Sequence, residues 1–302
     1  MANVAASVRQ RLLNLSKAQQ RPFQEVLQFY AMERFLYRLS QSSHVDRFVL
    51  KGALMLQVWQ SPQSRPTMDI DMLGRLSNDA STVLHAIGEV LTWPVAEDGL
   101  SFHPNTLRAE QITEDSDYQG LRIRALATLD RAEVHVQMDI GFGDQVIPAP
   151  QRQHYPVLLD HATPELLCYS RESAIAEKLQ AMTMLGELNS RMKDFYDIWL
   201  LARQFSFDRK TLTQALVATF NQRDTPLPQT PLFDDRFAAI KQTQWQAFLH
   251  RLGDDVLTEK DFARVLASIE QFAGTALALS DNDSEIWHWP AGGPWECGAL
   301  HG

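Results

Sequence analysis

A small α/β half followed by a helical half is the architecture this sequence predicts, and three observations carry it. Up to about residue 141, short segments of period-2 alternation interleave with stretches of helical spacing. The Pro-rich stretch "IPAPQRQHYP", 147–156, then breaks the pattern and is the best domain boundary. Beyond it the periodic stretches are helical. With 302 residues the chain has room for two modest domains or one large one. The expected division is 1–150, then a helical 151–280, then a poorly ordered tail at 281–302.

In chain order, residues 3–18 and 22–41 read as helices. In the second, Phe23, Val26, Leu27, Tyr30, Phe35, Leu36 and Leu39 recur at helical spacing. A short strand over 47–50 ends at Gly52, a short helix follows over 53–60, and "SPQSRP" is a loop. Residues 68–74 form a strand, and 79–92 a helix capped from Asn78 or Asp79. Three further strand regions follow: 100–103 with 107–112, then 120–129, then 132–141. The last two, "GLRIRALATLD" and "AEVHVQMDIGF", break near Asp130-Arg131 and read as a hairpin. Helices are expected over 171–187, 191–205, 209–222, 234–251 and 259–274. The Gly/Pro-rich end, "SDNDSEIWHWPAGGPWECGALHG", has no period and reads as a tail.

Hydrophobic residues at 45% and charged residues at 22% suit a soluble globular chain. No run approaches the roughly 18 apolar residues of a membrane span, and the N-terminus shows no secretory pattern. Cys168 and Cys297 make a weak disulfide case, so a cytoplasmic location is expected. The net charge of −9 disfavours strong nonspecific duplex binding, which needs phosphates neutralised. It is compatible with a local basic path for a nucleic-acid end, or with a basic protein partner.

The chemistry concentrates in Met68-Asp69-Ile70-Asp71-Met72. Residues i and i+2 of a strand share a face, so Asp69 and Asp71 project together and the apolar neighbours point away. Adjacent carboxylates repel unless a cation lies between them. Hard divalent ions take oxygen ligands alongside substrate phosphates, the arrangement of two-metal phosphoryl or nucleotidyl transfer. A solvated strand face is the bland reading, and a glycosyltransferase holding a sugar nucleotide would use the same pair. "HVQMDIGFGD" adds Asp139, on the face of its strand shared with His135 and Gln137. If the two strands are neighbours, three acids converge. Two would hold metal, and the third would share an ion and help take a proton from an attacking hydroxyl. Alternatively, Asp139 is a strand-end turn acid.

Upstream, the Lys51-Gly52 turn lets backbone N–H groups approach a phosphate, though a plain strand-to-helix turn explains it equally well. Arg65 and Thr67, preceding the acid pair, are further phosphate candidates, with simple surface exposure as the alternative. In "RESAIAEKLQAMTML" Lys178 lies on the shoulder of the apolar stripe of Ile175, Leu179 and Met182, where snorkelling is an equal reading. In "SRMKDFYDIWLLARQF" Asp194 falls within the stripe and Asp197 on its shoulder. A buried acid needs a partner, and Lys178 or a ligand-bound group is the natural one. A macrodipole contact near the helix start, after a Ser190 cap, accounts for the acid's position in sequence but not within the stripe.

Taken in order, Gly52, Arg65-x-Thr67-x-Asp69-Ile70-Asp71, Asp139 on a strand, Glu177-Lys178-Leu179 and Lys193-Asp194-x-x-Asp197 resemble the AbiEii/MenT family of nucleotidyltransferase toxins. That family lies within the polymerase-beta-like nucleotidyltransferase superfamily, and the resemblance runs from about residue 46 to 205. It implies an α+β chain: a nucleotidyltransferase-type mixed sheet with flanking helices, followed by a mostly helical domain. It further implies transfer of a nucleotide from an NTP with Mg²⁺ or Mn²⁺. Some members modify tRNA acceptor ends, many are encoded with an antitoxin, and some act in phage defence. Carried over, Asp69 and Asp71 are similar to the metal ligands, Asp139 to the third acid, and Lys178 and Asp194 to the catalytic lysine and downstream acid. Lys51, Gly52, Ala53, Arg65 and Thr67 would meet the nucleotide. Relatives usually carry Gly-Gly or Gly-Ser where this chain has Gly52-Ala53, so a serine contact to phosphate is absent while backbone N–H groups remain. The alternatives are nucleotidylation of a small molecule or a protein, and a non-catalytic interaction protein on the same scaffold.

Overall fold

The computed structural model describes residues 4–61, 67–114, 118–229, 231–252, 259–278 and 286–298. Two compact units form: Met1–Asp144 with Pro150–Tyr169, and Gln145–Ala149 with Ser170–Gly302.

The first unit begins with α1 (Val4–Ala18) and α2 (Phe23–Gln41), whose apolar positions Val26, Leu27, Tyr30, Phe35, Leu36 and Leu39 are all buried. The fully buried strand β1 (Phe48–Lys51) runs into a 3-10 turn at Gly52–Leu54 and the short α3 (Met55–Val58). Next come β2 (Asp69–Gly74) and α4 (Ala80–Leu91). Asp79 rather than Asn78 caps α4, accepting the Thr82 N–H at 2.9 Å. The strands β3 (Leu100–Glu114), β4 (Tyr118–Leu129) and β5 (Ala132–Phe142) follow. The two segments expected at 100–103 and 107–112 are one strand with a register shift between His103 and Arg108. Pro104, lacking an N–H for the ladder, sits in that irregularity.

Past the expected boundary at 150 the chain returns to the same sheet as β6 (Gln151–His154) and β7 (Glu165–Cys168). The first unit therefore extends to Tyr169. Segments this short, in Pro-rich surroundings, show too few alternations to register as strands. Among the described residues the sheet has seven strands, in the order β3-β4-β5-β2-β1-β7-β6. Parallel pairs join β2 to β5 and β1 to β7; the other neighbours are antiparallel. Ile70, Met72, Ile123, Ala125, Val136, Met138 and Ile140 are buried by the helices on one face. Asp69, Asp71 and Asp139 project from the other, by the two-residue period of the pleat.

A charge network that patterning did not reveal anchors α2. Glu33, Arg34, Arg38 and Asp98 are all at most 6% exposed. Arg38 donates to both Asp98 oxygens at 2.7 and 3.1 Å, and Arg34 Nε to Oδ2 at 3.2 Å. Glu33 accepts the Leu158 N–H at 2.7 Å. Burial pushes the Glu33 carboxyl up to about 7, against the pull of that N–H and of Arg34.

In the second unit Ser170 caps α5 (Arg171–Leu185) by accepting the Ser173 N–H, and Asp208 caps α7 (Arg209–Gln222) through Thr211. Between them lies α6 (Met192–Gln204). An aromatic core of Phe195, Phe237, Trp245 and Phe262 joins α6 to α8 (Asp235–Leu252) and α9 (Phe262–Ile269). The helix expected at 259–274 starts only at Phe262, capped by Asp261. It passes through a wide π turn at Glu270–Gly274 into α10 (Thr275–Ala278).

The expected tail is corrected over 286–298. There β9 (Ile286–Trp289) and β10 (Glu296–Gly298) form a hairpin, and β9 pairs with β8 (Phe207–Asp208). Trp289 and Trp295 pack against Phe272 at 4.9 and 5.8 Å between ring centroids. The Trp289 indole donates to the Ala202 carbonyl at 2.7 Å. Two indoles bury enough apolar surface to order a Gly/Pro-rich stretch whose turn residues close the hairpin. Residues 281–285 and 299–302, also assigned to the tail, lie outside the described residues. No helix among the described residues is long and apolar enough to cross a membrane.

Candidate active site

Register brings the acids together. Asp71 stands opposite Asp139 across the parallel β2–β5 pair and opposite Lys51 across β1–β2. Arg122 stands opposite Asp139 across β4–β5. One rung of the sheet thus reads Arg122, Asp139, Asp71, Lys51, with Asp69 two residues along, at the next position on the same face. Oxygens of Asp69, Asp71 and Asp139 lie within 4.8 Å of one another. Asp139 is buried and the other two are half-buried, so water screens their mutual repulsion only in part.

Two cations flank the cluster. Arg122 Nε donates to Asp139 Oδ1 at 2.9 Å and Nη2 to Oδ2 at 2.7 Å, a two-pronged fork. The Asp139 carboxylate, chiefly through that hydrogen bond, pushes the Arg122 guanidinium further up, with help from Glu110 and Asp69. Lys51, buried, donates to Asp144 at 3.1 Å and lies over the Tyr169 ring. Thr67 turns its hydroxyl to Asp69 Oδ1. In this structure, then, both Lys51 and Thr67 have acid partners. Arg65 lies outside the described residues.

Gly52 permits this packing. Its φ of +71° suits glycine, and a Cβ there would fall 1.9 Å from Asp71 Oδ2. The strand-to-helix turn is therefore fitted directly under the acid. Ala53 follows, buried in the 3-10 turn.

Within the second unit, Lys178 Nζ lies 3.2 Å from Asp194 Oδ1 and 2.9 Å from Asp197 Oδ2. Arg191 Nε lies 2.7 Å from Asp194 Oδ2. Both acids are buried, and the partner sought for Asp194 is indeed Lys178. Two cations against two carboxylates give the balance that buried acids require.

The donor set fits a hard divalent cation. All three ligands are carboxylates. The Arg122 fork takes one N–H per Asp139 oxygen, and each oxygen keeps a second lone pair. Sequence reasoning passed over Arg122 and Asp144. A signal for Arg122 existed: Leu129 pairs Ala132 across the Asp130-Arg131 turn, and Arg122 and Asp139 are equidistant from that turn.

Paired carboxylates on one strand with a third on its neighbour are a donor arrangement that metal-dependent phosphoryl- and nucleotidyl-transfer enzymes use. Residues 34–268 match the model of the nucleotidyl transferase AbiEii toxin family of type IV toxin–antitoxin systems, and the chain belongs to that family. It is a nucleotidyltransferase, and the family implies an NTP substrate and an antitoxin partner. Two solved structures from Helicobacter pylori, each 14% identical, are similar to it. One is a presumed nucleotidyltransferase with a TM-score of 0.49, covering 84% of this chain and 96% of its own. The other, JHP933, has a TM-score of 0.47 and covers 84% and 93%. No curated protein matches.

Proposed function

We propose that the protein transfers a nucleotide from an NTP to the 3′-terminal hydroxyl of a tRNA, with Mg²⁺ or Mn²⁺, as a cytoplasmic toxin restrained by an antitoxin and acting in phage defence. The observation that carries the reading is the convergence of three carboxylate oxygens within 4.8 Å on adjacent strands. Asp69, Asp71 and Asp139 would hold the cation, which when bound supplies positive charge at the reacting phosphate and the leaving pyrophosphate. The Gly52 and Ala53 backbone N–H groups hold phosphate oxygens, Lys51 and Thr67 line the nucleotide, and Arg65, on sequence grounds alone, is a further phosphate contact. Lys178 neutralises the triphosphate, with Asp194 orienting its ammonium. The acceptor hydroxyl attacks the α-phosphorus in line as its proton passes to a carboxylate of the cluster, Asp139 being the candidate base; the bond to the bridging oxygen breaks, and pyrophosphate leaves. Little of this is covalent chemistry by the protein; positioning and charge stabilisation carry the rate.

A protein or metabolite acceptor is the second reading, and the net charge of −9 favours it. Labelled NTPs incubated separately with total tRNA, protein and metabolite pools decide between them. Label in tRNA with the wild-type protein, lost in Asp71→Asn, is the expected result. Label confined to another pool removes tRNA as the acceptor, and full transfer by Asp71→Asn removes the carboxylate assignment.

A further inference from the structure

We propose that Arg122 is a positioning residue for nucleotidyl transfer: from β4 it fixes the plane of the Asp139 carboxylate so that the three acids offer oxygens to one cation. This rests on the reading of the acids as a cation site, and it concerns a residue outside the ligand set.

The geometry is specific. Arg122 and Asp139 are cross-strand partners, so their backbones hold the pair at a fixed separation. Both Asp139 oxygens are engaged, at 2.9 and 2.7 Å, and a carboxylate held by two prongs cannot rotate about its Cβ–Cγ bond. The side chain of Asp139 is 8% exposed and that of Arg122 is 30% exposed, so the fork is partly withdrawn from solvent competition. Cross-strand pairing of Asp139 with Asp71 then fixes where the held oxygens stand relative to the neighbouring acid. Lysine cannot reproduce the effect, because an ammonium is a point charge without the planar fork. Second-sphere partners of this kind change cation affinity rather than contact substrate.

The test uses the full-length chain. Mn²⁺ binding to nucleotide-free protein is read by electron paramagnetic resonance, and transfer kinetics are measured against both Mn²⁺ and NTP. In Arg122→Lys the Mn²⁺ dissociation constant should rise by about 10- to 100-fold. The Mn²⁺ concentration for half-maximal transfer should rise in step. At saturating Mn²⁺, kcat should return to within about 10-fold of wild type and the NTP KM should stay unchanged. Added guanidinium should restore Mn²⁺ binding to Arg122→Ala. Unchanged Mn²⁺ affinity in a folded variant overturns the proposal. So does a raised NTP KM with Mn²⁺ affinity intact, which would make Arg122 a phosphate contact. Thermal melting identifies folded variants, with Arg122→Gln as a further one; failure of all three to fold makes the role structural and also overturns it. Asp69→Ala tests the underlying reading separately: if it binds Mn²⁺ like wild type, the acids are not the cation site, whatever Arg122 does.

Discussion

Gly52→Ala probes the site without removing a functional group. The added Cβ would lie 1.9 Å from Asp71 Oδ2, against about 3.4 Å for an ordinary contact, so the carboxylate must retreat by about 1.5 Å. The backbone, at φ +71°, adds a left-handed penalty of about 1–2 kcal/mol. That strain alone predicts a fall in Tm of about 2–8 °C. Displacing a reacting-site group by an ångström costs about 100-fold in rate, so transfer should fall at least that far and Mn²⁺ binding with it. Gly186→Ala is the control: its φ is +48°, and beyond the adjoining backbone nothing lies within 4 Å of the added Cβ. It should share the loss of stability and keep the activity. Label transfer and melting curves on both variants give the answer. Equal activity in the two would refute the claim that Gly52 exists to make room for Asp71.

Three other outcomes are expected. Lys178→Met removes the cation shared by two buried acids, and breaking a buried pair of this kind costs about 3–5 kcal/mol, readable by denaturant unfolding. Glu33, raised from 4.5 to about 7 by burial, binds its proton more tightly folded than unfolded. Stability should therefore fall as pH rises through that window, by about 3 kcal/mol in all, and level off above it. Glu33→Gln should flatten that part of the stability–pH curve; an unchanged slope would show that another group carries it. Trp295→Ala should cost about 3–5 kcal/mol and open the C-terminal hairpin to limited proteolysis.

The acids were legible because their signal is local. Two carboxylates at i and i+2 in an apolar strand declare a shared face, and Asp139 repeats the pattern on a second strand. What joins them is register, which depends on partners distant in the chain. The parallel β2–β5 pairing leaves no mark on either strand alone. Arg122 was missed because an arginine at a polar position of an alternating hairpin looks like a solvated residue until its partner is known. Glu33, Arg34 and Arg38 were missed for a related reason: charges on a helix read as surface, and partners far along the chain, Asp98 for the two arginines and the Leu158 N–H for Glu33, make their burial tolerable. The hairpin at 286–298 was hidden by composition. Gly and Pro argued for disorder, while the tryptophans that fold the stretch find their ring partners elsewhere in the chain.

Leu50 in β1 has its second neighbour only at Cys168 in β7. A nascent chain that has emerged as far as Asp144 already carries Asp69, Asp71 and Asp139, yet β1 is still an open border of the sheet. Pairing between such remote segments is slow to form, and an uncovered strand invites foreign strands. The sheet is thus completed only when β7 emerges, after the chain has passed through 145–149 and turned back.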